Sequence, residues 1–94
     1  MKSRKQWTKE FVLLSLRGFE SNGRSLEAVV CTVQELFRQE FAELKLLFDT
    51  EAEGEAAVPD ITRVEVRTSL HRMRIAGRVK CQKTEGGTYL WRLD

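Results

Sequence analysis

The hydrophobic period of this chain changes at Gly77, and no other feature restricts the fold as much. Before it, Val66, Leu70 and Met73 recur at helical spacing; after it, Val79 and Cys81 alternate with Arg78, Lys80 and Gln82. The first pattern suits a helix buried along one stripe, and the second suits a strand with one buried face. Thr62-Arg63-Val64-Glu65 matches a capping box, in which hydroxyl and carboxylate satisfy free amides at a helix start. A helix is therefore predicted from Thr62 to Ala76, closed by Gly77 in a left-handed conformation. Thr84-Glu85-Gly86-Gly87 then turns the chain into Thr88-Tyr89-Leu90-Trp91-Arg92-Leu93, which makes residues 78–93 a β-hairpin. Tyr89, Trp91 and Leu93 are expected to pack with Val79 and Cys81 against the helices, leaving the Arg and Lys side outward.

Two more helices are predicted upstream. The first starts at Thr8 as N-cap, places Phe11, Val12, Leu14 and Phe19 at helical spacing, and stops at Ser21-Asn22-Gly23. Ser25 caps the second, whose apolar positions run from Leu26, Val29, Val30 and Val33 through Leu36, Phe37 and Phe41 to Leu44, Leu47 and Phe48. It either continues to about Leu47 or breaks near Gln39. The stretch of about 49–61, with Glu51, Glu53, Glu55 and Pro59, has no period and reads as an acidic surface loop. A short edge strand near Gly23-Arg24 would complete a sheet with the hairpin, but the sequence carries no signal for it. At 94 residues the chain has room for one core, so residues 1–94 are read as one α+β domain.

Apolar residues at 41% and charged residues at 32% suit a packed fold rather than disorder. No apolar run approaches the roughly 18 residues of a membrane span. The polar start, Met1-Lys2-Ser3-Arg4-Lys5-Gln6, lacks a secretory core, so a cytoplasmic protein with no membrane role is expected. Cys31 and Cys81 both fall in apolar-patterned segments, where buried reduced thiols are expected. No zinc spacing, phosphate loop or nucleophile with its base is present, and the acids of the central loop have no His or Cys partner. Neither enzymatic activity nor a metal or other cofactor is expected.

Charge is unevenly distributed. Residues 1–19 hold five Lys or Arg against one acid, residues 20–60 three against ten, and residues 61–94 eight against three. On the helix predicted from Thr62, Arg63, Arg67, His71 and Arg74 fall within roughly 80° of arc, beside the packing stripe of Val66, Leu70 and Met73. Thr68 and Arg72 lie farther round, and Arg78, Lys80 and Lys83 extend the basic surface onto the hairpin. Arginine reads guanine bidentately or holds phosphate, so this surface has the chemistry of a duplex DNA interface. Each part also has a plainer reading: charged helix faces are commonly solvation, and lysines on hairpins commonly protect sheet edges. His71 is read as an exposed polar residue.

The segments Val66 to Val79 and Gly87 to Leu93 resemble the recognition helix and wing of winged helix-turn-helix DNA-binding domains. They share a Leu-x-x-Met helix ending in Gly, a strand with Val, and a Gly-led strand with an aromatic residue. The long segment between the second and third helices further resembles the N-terminal domain of Mrr-type restriction systems and the related HARE modules. The resemblance implies that Arg63, Arg67, Thr68, His71 and Arg72 face bases, with Lys80 and Lys83 on the DNA backbone. The implied role is a DNA-binding transcriptional regulator or accessory factor. Some members of such families bind only proteins. The alternative is therefore a protein-interaction module, with a protein partner or a second copy of the chain, that uses the winged helix fold and the acidic central segment and binds no DNA.

Overall fold

The computed structural model describes residues 3–17, 23–42, 50 and 60–94. Helix α1 spans Arg4–Leu16, strand β1 Arg24–Ser25, helix α2 Leu26–Glu40, helix α3 Arg63–Ile75, strand β2 Val79–Lys83 and strand β3 Tyr89–Leu93. The strands form an antiparallel sheet in the order β1-β3-β2.

Helix α1 begins a turn earlier than expected. Ser3 is its N-cap and forms a capping box with Gln6, the same arrangement that was read at Thr62. Thr8 lies inside the helix, buried, where its hydroxyl donates to the Arg4 carbonyl at 2.8 Å. The earlier start adds Trp7 to the packing. Its ring lies 5.3 Å from Phe11 and 5.9 Å from Phe41, and Phe11 meets Phe37 edge-on at 4.8 Å. Phe37 and Phe41 stack at 6.0 Å, so these aromatics pin α1 to the end of α2. The helix also ends earlier than expected, at Leu16, because its C-cap Arg17 is already extended at φ −65° and ψ 136°; Phe19 and the expected stop at Ser21-Asn22 lie outside the described residues.

Ser25 caps α2 as expected, accepting from the Ala28 amide. Of the two extents open to the second helix, the structure takes the shorter: α2 ends at Glu40 with Phe41 as C-cap. Residues 43–49 and 51–59 lie outside the described residues, and with them most of the expected acidic loop. Ile61, placed in that loop by its sequence, is instead in the core at 1% exposure. It directly precedes the N-cap Thr62, and both it and Val66 are buried, the two positions of a hydrophobic staple. Gln34 of α2 donates to the Ile61 carbonyl at 2.9 Å, which fixes where α3 starts.

Helix α3 has the capping box and the terminator expected of it. Thr62 and Glu65 cap reciprocally. At the other end Gly77 takes φ +77°, with its amide bonded to the Arg74 carbonyl and that of Arg78 to Met73. This paired pattern is a Schellman motif, and it leads directly into β2. Val66, Leu70 and Met73 meet Val12, Leu16, Val29, Val33 and Phe37 in one core, which Val79 and Trp91 close from the sheet side.

The hairpin follows the expected alternation, with Cys81 opposite Trp91 and Val79 opposite Leu93. Two expectations on it need correction. Tyr89 does not pack against the helices; it is 55% exposed, because the core ends at Trp91 and the strands run on past it. Lys83 does not share the outward face of Lys80: it is paired with Tyr89 on the Cys81 side, its ammonium 5.9 Å from the tyrosine ring. The loop is closed by the Thr84 amide on the Thr88 carbonyl at 2.8 Å, and by the Gly87 amide on Thr84 at 3.0 Å.

Strand β1 is the edge strand that left no trace in the sequence. Arg24 pairs with Trp91 and Ser25 with Leu90. The Arg24 guanidinium ties it down, donating to the Ser15 carbonyl and the Thr32 hydroxyl, each at 2.9 Å. The thiol expectation also changes. Cys31 is exposed, because it lies roughly 140° round α2 from the Val33–Phe37 stripe, and Cys81 is half-buried; both are free.

Candidate nucleic-acid interface

Three neighbours surround α3, and they decide which of its side chains face solvent. Towards α2, Arg63 meets Glu27 at 2.7 Å. Towards the sheet, the His71 ring stands edge-on to Trp91, centroids 5.3 Å apart. Towards α1, Glu65 takes two hydrogen bonds from Arg4, at 2.7 and 3.0 Å. What remains outward is Val64, Arg67, Thr68, Arg72, Arg74 and Ile75, all exposed.

The expected basic stripe is thus divided. Arg67 and Arg74 stand exposed with no carboxylate partner among the described residues. Arg63 is in an ion pair, but both partners are more than 60% exposed. Such pairs are worth about 0–1 kcal/mol, so a phosphate displaces Glu27 at small cost. His71 is half-buried, edge-on to Trp91, rather than simply exposed.

Thr68 and Arg72 lie on the other side of the outward arc, where they line a groove between α3 and α1 together with Arg78. Lys80 sits on the opposite sheet face from Cys81, with its ammonium 3.1 Å from Asp94. Lys83 is at the far end of the hairpin, exposed beside Tyr89. The nine predicted residues therefore form three groups: Arg63, Arg67, His71 and Arg74 along one flank of α3; Thr68, Arg72 and Arg78 at the groove; and Lys80 and Lys83 along the hairpin.

Beside this surface lies further basic lining, outside the DNA surface itself, that the residue pattern did not single out. Arg4, Lys5 and Lys9 of α1 line the same groove as Arg72 and Arg78. Their signal was in the sequence as the basic excess of residues 1–19, and Lys5 and Lys9 stand four apart on one side of a helix. Val64 and Ile75 were also missed as surface residues. They are 70% and 87% exposed, and give the outward arc of α3 an apolar component.

The electrostatics inside the site come chiefly from one pair. The Glu65 carboxyl is held below its ordinary range, first by the hydrogen bond from Arg4, and Arg4 is correspondingly raised by Glu65. Among the described residues the one acid lining the groove is thereby ionised and charge-paired with Arg4, which leaves the arginines of α3 to act on whatever approaches. The Cys81 thiol is pushed up by burial, against a smaller opposing pull from Arg74. Among the described residues no three His, Cys, Asp or Glu side chains gather as a metal site, and no helix is long and apolar enough to cross a membrane. Compared with family models, curated proteins and solved structures, the chain matches none.

Proposed function

We propose that this protein binds double-stranded DNA, with α3 in the major groove and the β2–β3 hairpin as a wing along the phosphate backbone. One observation carries the reading. Helix α3 buries Val66, Leu70 and Met73 while Arg67, Arg72 and Arg74 stay exposed with no carboxylate partner among the described residues. A helix held rigidly along one stripe and bearing arginines elsewhere meets the steric and chemical needs of groove docking. The order α1-β1-α2-α3-β2-β3, with the hairpin attached to α3 through the Schellman turn, supports a winged helix-turn-helix identity.

Within this reading the contacts divide by chemistry. Arg67 and Arg74 contact guanine edges or phosphates, and Thr68 and Val64 offer methyl groups to thymine. Arg78, Lys80 and Lys83 contact backbone, fixing register without reading sequence. The rival reading, a protein-interaction module that uses the winged helix fold and the acidic central segment of residues 20–60, draws on Glu27, Glu35 and Glu40, exposed on α2, and on further acids outside the described residues.

The test is fluorescence anisotropy with a labelled duplex over a range of salt. Binding weakens as salt rises, and the log–log slope falls by about 0.9 for each phosphate contact removed. Arg67→Ala with Arg74→Ala weakens binding by about 1–3 kcal/mol per lost base contact. A protein that ignores duplex DNA at low salt does not have this function.

A further inference from the structure

The groove between α1 and α3 is not explained by duplex binding. It encloses about 550 Å³, within the size range of ligand pockets. Thr8 and Met73, both buried, form its floor, and Ala76 extends the floor toward the end of α3. Lys5 and Lys9 stand on the α1 rim, opposite Arg72 and Arg78. These four cations are exposed and have no carboxylate partner among the described residues. Glu65, the one acid lining the groove, is occupied by Arg4 and by the Thr62 cap.

We propose that this groove docks an acidic amphipathic helix of a partner protein. Two features select that occupant. A cationic rim on both sides attracts an anionic partner and repels a basic one. An apolar floor rewards burial of leucine-like side chains, which a phosphate backbone does not have. The dimensions agree: from Val64 to Ala76, α3 runs about 18 Å, the length of a helix of three to four turns. Helix-in-groove docking uses anchors spaced i, i+3, i+4 and i+7, with charged residues beside them. Val64, Thr68, Arg72 and Arg78 belong to the DNA surface as well. Lys5, Lys9 and Ala76 belong to the groove alone and serve as its probes.

The experiment is anisotropy with two fluorescein-labelled synthetic helices of about four turns, both with leucines at i, i+4, i+7 and i+11. One carries glutamates at the flanking positions and the other lysines. The glutamate peptide binds saturably and the lysine peptide does not. Lys5→Gln with Lys9→Gln weakens the glutamate peptide by about tenfold, and duplex DNA by less than about threefold. Ala76→Trp fills the groove and abolishes peptide binding, with the thermal midpoint of the chain unchanged. Equal binding of the two peptides overturns the proposal, as does peptide binding indifferent to the lysine variant. So does a lysine variant that loses duplex affinity in place of peptide affinity, since the rim is then a nucleic-acid surface. A doubled mass in light scattering that Ala76→Trp reverts also overturns it, by showing that a second copy fills the groove.

Discussion

Glu65 does three things at once. Its carboxylate accepts from the Thr62 amide at 2.8 Å, receives the Arg4 guanidinium, and stays ionised on the groove wall with Arg4 as its counter-charge. The Arg4 hydrogen bond comes first and the cap bond after it in favouring the ionised carboxylate, and because Glu65 and Arg4 are 35% and 48% exposed, screening keeps the ion pair's contribution small. Glu65→Ala therefore costs about 1 kcal/mol in urea denaturation, through loss of both the Arg4 pair and the reciprocal half of the capping box. Because the folded carboxyl lies below the ordinary value of about 4.3, its contribution is complete above that value and is lost as pH falls through the folded one. The gap between wild type and Glu65→Ala is expected to close in acid and to stay constant near neutrality. The thiols give a second test at this scale. Cys31 reacts fast with an aromatic disulfide reagent, and Cys81 slowly, being half-buried with its thiol pushed up. Equal rates would contradict the packing of β2. The Thr62–Glu65 cap was legible because it is local, and Ser3–Gln6 carries the same local signature. The Arg4–Glu65 bond joins residues 61 apart, a relation that no spacing rule reveals.

Among the elements, α3 and the hairpin are the parts in which every local signal agrees. A cap, a helical period, a left-handed glycine and a change to period two lie in succession, and the structure follows them to within a residue or so. Gly77→Ala isolates one of these signals, since an added Cβ there has no atom within 4 Å and the penalty is backbone strain alone. Its expected cost is about 1–2 kcal/mol. Gly23→Ala is costlier in the same assay: φ is +75°, and the new Cβ would lie 3.0 Å from the Trp91 carbonyl oxygen. If Gly77→Ala proved the worse of the two, the close approach of β1 to β3 would be wrong. Strand β1 was illegible because two residues cannot show a period. Its strength comes from Arg24 reaching α1 and α2, and from a glycine that lets the chain pass close to β3. The end of α2 was undecidable in sequence for a related reason. Leu36, Phe37 and Phe41 belong to the same apolar period whether the helix ends near them or continues.

At the scale of the whole molecule, the low net charge of +2 conceals where the charge lies. The basic excesses of the first and last segments of the chain meet in space, with Lys5 and Lys9 of α1 across the groove from Arg72 and Arg78. Screening reaches about 8 Å at physiological salt, so an acidic partner helix on that face responds to these cations more than to the sum over the chain. The juxtaposition was only half legible. Each excess could be counted, but their meeting depends on α1 packing against α3. The central claim is that the outward arc of α3 and the start of the hairpin form a duplex DNA surface. The most direct measurement is an amide-shift titration of the labelled protein with duplex DNA at low salt, repeated at higher salt. Shifts are expected at Arg67, Thr68, Arg72, Arg74, Arg78 and Lys80 that reverse as salt is raised, with the exposed face of α2 unmoved. A spectrum unchanged at low salt, or one whose shifts gather on α2, would contradict it.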